Sequence, residues 1–150
     1  MSARRGLAVA GVALLLACQD SSGPPAALSL AQLAGTWDLT EFALLLEADT
    51  TVQLDLKAEM DLAATLTIAA GGAATLTVSW QDEAPQSTAA TIALRGDTLL
   101  YSTEGSNFEF RVALAARRMT WLALYTDEFA DLDGDGSADE TRERYGWLRR

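Results

Sequence analysis

The chain has no histidine and only one cysteine in 150 residues. Without imidazole, the commonest general acid–base, zinc ligand and serine-activating group is missing. A lone cysteine cannot form an internal disulfide, so stability has to come from an apolar core and a hydrogen-bonded ladder. Basic residues are scarce as well, 11 Lys and Arg against 21 Asp and Glu, for a formal charge of −10. So acidic a chain repels phosphate backbones and anionic headgroups, which excludes nucleic acid as a partner. Together these absences point away from an enzyme. No stretch between the leader and the C-terminus carries the period of a long amphipathic helix.

What is present begins with a leader. Arg4 and Arg5 precede an uncharged run from Gly6 to Ala17, and Cys18 follows. A short basic region before an apolar stretch too brief to span a bilayer is the pattern of a secretory signal peptide. Leu15-Leu16-Ala17-Cys18 resembles the bacterial lipobox, in which a small residue precedes a cysteine that is diacylated and becomes the new N-terminus. The resemblance implies a signal peptide over residues 1–17, lipidation at Cys18 and a membrane anchor made of lipid chains. Gln19 occupies the place where an aspartate signals inner-membrane retention in well-studied envelopes. The same resemblance therefore implies an outer-membrane lipoprotein facing the periplasm. Residues 18–29, with Asp20-Ser21-Ser22-Gly23-Pro24-Pro25, make a polar tether. Loss of Arg4 and Arg5 with the leader leaves nine basic residues against 21 acidic, a formal −12.

Beyond the tether a period of two takes over. Leu28, Leu30 and Leu33 suggest either one helical turn or a lead-in across one end of the domain. A first strand is expected from about Thr36 towards Glu47. Val52, Leu54 and Leu56 alternate with polar residues, as do Leu62, Ala64, Leu66 and Ile68. Gly71-Gly72 supplies a tight turn into Leu76, Val78 and Trp80. Strands from Thr88 to Arg95 and from Thr98 to Thr103 flank Gly96-Asp97, and Phe108, Phe110, Val112 and Leu114 alternate in the next. A longer strand is expected from Met119 to about Asp131, and a last one from Glu140 to Leu148. Eight or nine strands joined by short turns make an antiparallel meander, which hides its two edges by closing into an up-and-down barrel; a two-sheet sandwich is the rival, which the pattern alone separates poorly. Most of these strands are shorter than a membrane barrel needs, so the apolar side of each is read as core.

The meander opens on Leu33-Ala34-Gly35-Thr36-Trp37-Asp38-Leu39. Gly35 allows a sharp entry, and Trp37 offers a large apolar plate to plug one end of a barrel. This segment resembles the opening of lipocalin-like bacterial lipoproteins. The resemblance implies an all-β, single antiparallel up-and-down barrel over residues 30–150. It also implies non-covalent binding of a small hydrophobic ligand inside. In some lipocalins an arginine of the last strand packs across the opening tryptophan, and Arg144 or Arg149 stands in place to do so with Trp37. The rival reading is a barrel filled with side chains that serves as an interaction module for an envelope protein. The pairs Ala63-Ala64, Ala73-Ala74, Ala89-Ala90 and Ala115-Ala116 separate the two, since small residues pointing inward leave room for a ligand.

Asp131-Leu132-Asp133-Gly134-Asp135-Gly136-Ser137-Ala138-Asp139 resembles the start of an EF-hand calcium loop. By that resemblance Asp131, Asp133 and Asp135 give side-chain oxygens to Ca²⁺, Ser137 its backbone carbonyl, and Asp139 a direct or water-mediated contact. The position of the closing bidentate glutamate is Arg142, with Glu140 and Glu143 off register, and no helices flank the loop. A weak site that pins a hairpin is the expectation. Asp-Gly turns whose carboxylates bond their own backbone are the alternative.

Trp37, Trp80, Trp121 and Trp147 are read first as core plates, with a cavity lining as the second reading. Phe108 and Phe110 are read as core. Arg117-Arg118 is read as a solvated turn with one arginine paired to the acidic hairpin, and Arg142, Arg144, Arg149 and Arg150 as a solvated strand face.

Overall fold

Ser29 caps a single helical turn, α1 (Leu30–Leu33). Its hydroxyl accepts the Gln32 N–H, and the Gln32 side chain accepts the Ser29 N–H at 2.8 Å, a reciprocal pair that satisfies two helix-end donors. The computed structural model describes residues 27–81 and 83–150. The leader over 1–17, Cys18 and all but the last residues of the tether lie outside the described residues. Gly35 then turns the backbone at φ +137°, as its place in the opening motif requires, and the first strand, β1 (Gly35–Leu46), begins.

The remaining strands are β2 (Gln53–Asp55), β3 (Leu62–Ile68), β4 (Ala73–Trp80), β5 (Gln86–Arg95), β6 (Thr98–Thr103), β7 (Ser106–Ala115), β8 (Arg118–Ala123), β9 (Asp127–Glu128) and β10 (Glu140–Arg149). A second helical turn, α2 (Leu56–Glu59), follows β2. All pairings are antiparallel, and β1 pairs with β10 from Trp37↔Arg149 to Leu46↔Thr141. That pairing closes the order β1-β3-β4-β5-β6-β7-β8-β10 into an eight-stranded up-and-down barrel, with β2 and β9 as short additions. The fold is the all-β antiparallel up-and-down barrel expected from the strand pattern. Inward positions carry the core, among them Leu66, Ile68, Ile92, Leu99 and Met119, all essentially inaccessible.

Two departures from the regular alternation shape the barrel. Between Leu39 and Glu41 the register with β10 slips, so Thr40 is an extra residue in β1. Ahead of this bulge Trp37 and Leu39 face inward, and after it Phe42 does, stacked on Tyr145 with ring centroids 4.6 Å apart. The second departure is at Val52 to Leu56, expected as one strand. Only Gln53–Asp55 pairs with β1, and the Asp55 carboxylate then accepts the Ala58 N–H at 3.1 Å and starts α2 instead. As a result β3 meets β1 only from Gly35 to Asp38, and the upper part of β1 pairs with β2. Helix α2 packs against both β1 and β3 where they part.

The expected strand from Met119 to Asp131 is also shorter. It ends at Ala123, and β9 covers only Asp127 and Glu128 opposite Thr141 and Glu140. Strand length was not a safe guide either, since β5, β7 and β10 each have 10 residues and β1 has 12. The inward direction of the apolar residues is what marks them as core.

Candidate functional site

One end of the barrel is closed by α1 and Trp37. The Trp37 indole is fully buried and donates from Nε1 to the Leu33 carbonyl at 2.8 Å, tying the plug to the helical turn. Of the two arginines considered for its outer face, Arg149 takes the place. Its guanidinium carbon lies 4.4 Å from the centre of the Trp37 ring, and its Nη2 donates to the Gln32 carbonyl. Arg144 lies on the outside of the barrel, where it bonds Glu41 through Nε at 2.7 Å. Gly35 and Trp37 thus build the floor and do not touch the cavity above it.

That cavity has a volume of about 390 Å³ and opens at the opposite end. The size falls within the roughly 300–1,000 Å³ of small-molecule sites. A filled barrel is therefore not what these residues make. The two sides differ in chemistry. Strands β3 and β4 give an aliphatic wall, with Leu62, Ala64, Leu66, Leu76 and Val78. The facing wall is aromatic, built from Phe110 of β7, Trp121 of β8, and Tyr145 and Trp147 of β10. Its rings are in mutual contact: Phe110 meets Trp121 at 5.3 Å and stands edge-on to Tyr145 at 5.8 Å, and Trp121 meets Trp147 at 5.5 Å. Trp80, Tyr101, Phe108 and Met60 stand around the mouth and upper wall. Three of the four tryptophans are therefore lining residues as well as core, and Phe108, expected in the core, is 37% exposed at the rim.

Among the described residues one lining residue is charged. Glu143 points inward from β10, and both Tyr125 and Tyr145 donate their hydroxyls to its Oε2, at 2.8 and 2.7 Å. Burial pushes both phenols far above the usual tyrosine range, and the Glu143 carboxylate pushes the same way through its charge and these hydrogen bonds. Burial also raises the Tyr101 hydroxyl. Sequence reasoning placed Glu143 only beside the acidic loop. Its parity with Tyr145 and Trp147, two and four residues on, was the signal that turns it into the barrel.

Among the alanine pairs, Ala64 lines the cavity, whereas Ala74 and Ala90 pack inward near the closed end. An outer groove shares Leu39 and Ala64 with the cavity, at the place where β1 and β3 separate.

The acidic loop leaves the barrel at the open end, between β9 and β10. Asp131, Asp133 and Asp139 each offer one oxygen, and the three lie within 4.8 Å of one another. Asp135 stands apart from that group, its Oδ1 accepting the Ser137 N–H at 2.8 Å. The clustered carboxylates accept backbone amides too: Asp131 takes Gly134 and Gly136 N–H, Asp133 takes Asp135 N–H, and Asp139 takes Leu132 N–H. The self-bonded turn is thus formed, and three of the five residues expected at a calcium site converge within it. Arg142, at the closing position, points outward to Glu47 at 2.7 Å. The arginine expected to pair with this loop does not. Arg117 sits at the closed end, donating to the Arg149 carbonyl at 2.6 Å, because β8 starts there.

No protein-family model matches the chain, and no curated protein does. Among solved structures, a mutant of the fluorescent protein UnaG is similar at 11% sequence identity, over 79% of this chain and 96% of that one, with a TM-score of 0.39. A likeness so loose carries no argument. The barrel rests on this chain's own strand pairing.

Proposed function

We propose that the barrel binds one small hydrophobic molecule non-covalently in its aromatic and aliphatic cavity. The observation that carries this reading is the cavity itself, about 390 Å³ lined almost wholly by apolar side chains and open at one end. The absence of histidine and the single cysteine support a carrier or sensor in preference to an enzyme. The lipobox-like Leu15-Leu16-Ala17-Cys18 supports placement as a lipid-anchored protein of the cell envelope, at the outer membrane and facing the periplasm. There the domain would hold its ligand off the membrane on a polar tether.

A second, smaller reading concerns the loop. Convergence of Asp131, Asp133 and Asp139 supports a weak Ca²⁺ site that would stiffen the hairpin beside the mouth. A partner protein of the envelope remains the alternative use of that rim, supported by Phe129, which is 63% exposed on β9's edge.

Native mass spectrometry of gently purified protein tests the carrier reading. A non-protein mass that survives desalting and disappears on denaturation is expected. A bare protein mass, together with no binding of the neutral apolar dye N-phenyl-1-naphthylamine, would overturn it.

A further inference from the structure

Resting on the carrier reading, we infer that the cavity selects a positively charged ligand: an amine or quaternary ammonium with an apolar body. Among the described residues Glu143 is the only charged one in the lining, and no described lysine or arginine joins it there. Its Oε2 is occupied by two phenolic donors, while Oε1 takes no hydrogen bond from the described residues. One oxygen is therefore anchored and the other is left to meet a ligand. The two tyrosines hold the carboxylate in place, so little ordering cost falls on binding.

The surroundings point the same way. The wall that carries Glu143 is the aromatic one, and ring faces attract cations through their quadrupoles. Phe42, stacked on Tyr145, and Phe110, edge-on to it, put further rings beside the carboxylate. An anionic ligand would bring its charge against Glu143 in a low-dielectric space with no cation to offset it. The arginines of the same strand do not relieve this. Arg142 and Arg144 alternate outward and are engaged by Glu47 and Glu41. The overall charge of −10 attracts cations to the mouth before they enter.

The test is calorimetric titration of the purified protein with three molecules sharing one apolar body: octylammonium, octanol and octanoate. Octylammonium is expected to bind at least about fivefold more tightly than octanol, with octanoate weakest of all. Glu143→Gln keeps an acceptor for the two phenols and should abolish the preference, so that octylammonium and octanol bind the variant with equal affinity. Equal affinity for octylammonium and octanol in the unmodified protein, or preference for octanoate, would overturn the inference while leaving the carrier reading intact. If neither octanol nor N-phenyl-1-naphthylamine binds, the carrier reading falls and takes the inference with it.

Discussion

Raising the pH should unfold this protein through its tyrosines. All three tyrosines of the chain have hydroxyls held above the ordinary value of 10.0, with burial the largest cause in each. Below that value both folded and unfolded chains keep the protons, so the tyrosines add no pH dependence. As pH rises past it, the unfolded chain releases protons that the folded chain retains, and stability falls towards the folded pKa. At about pH 11 the freed Tyr145 phenol favours the unfolded state by about 1.4 kcal/mol, and the half-buried, partly screened Tyr125 adds less, so the pair removes about 2 kcal/mol. That is a sizeable part of a typical stability of about 5–15 kcal/mol. Urea denaturation at a series of alkaline pH values, followed by circular dichroism, should show the midpoint dropping, with the near-ultraviolet tyrosinate band appearing only as structure is lost. In a Tyr125→Phe, Tyr145→Phe double variant the pH slope should flatten, whatever its stability at neutral pH. Tyrosinate absorbance rising near pH 10 with the circular dichroism unchanged would refute the buried, Glu143-bonded arrangement.

Gly72→Ala should destabilise by about 2–4 kcal/mol in urea melts, because the backbone there is at φ +90° and a Cβ would sit 2.3 Å from the Ile92 carbonyl oxygen. Gly71→Ala, with nothing within 4 Å, should change stability by less than about 0.5 kcal/mol. Arg149→Ala should cost about 1–2 kcal/mol through loss of the Trp37 contact, yet leave dye binding in the cavity unchanged, since neither residue lines the cavity. Calcium added to chelator-treated protein should raise the melting temperature only at concentrations of roughly 10⁻⁴–10⁻³ M or above, because the loop lacks its closing glutamate. Half-saturation in the micromolar range would mean that Glu140 or another group completes the site.

The barrel was legible because its signal is repeated. Leu62, Leu66 and Ile68, then Ile92, then Phe110 and Val112 each point inward on a period of two, and short turns leave little choice of neighbour. The contact on Trp37 was expected from the lipocalin resemblance, with Arg144 and Arg149 both in view, and packing selects Arg149. What was missed lies where the period breaks or where type misleads. The bulge at Thr40 switches the parity of β1, so the run Ala43–Leu46, buried throughout, shows no alternation. Asp55 caps a helical turn inside what looked like a strand, since short polar side chains compete for the backbone. Glu143 was set aside because a carboxylate is ordinarily a solvated residue, although its parity with Tyr145 and Trp147 placed it inside. Which apolar residues surround empty volume and which fill it depends on three-dimensional packing, and the pattern of types does not carry that information.

The β1–β10 seam has a consequence for how the protein comes to be. Arg144 bonds Glu41 across 103 residues of sequence, and Arg150 bonds Asp38 across 112. Each hairpin from β3 to β8 can form as soon as it is made, but the circuit cannot shut until the final strand arrives. Until then the edge of β1 that pairs with β10 stays open. Such long-range closure is slow compared with local pairing. An unclosed intermediate, in which Leu44 to Leu46 are paired on the β2 side alone, is the species most prone to sticking to its own kind. Keeping that edge from other chains until β10 is made therefore protects the folding barrel from aggregation.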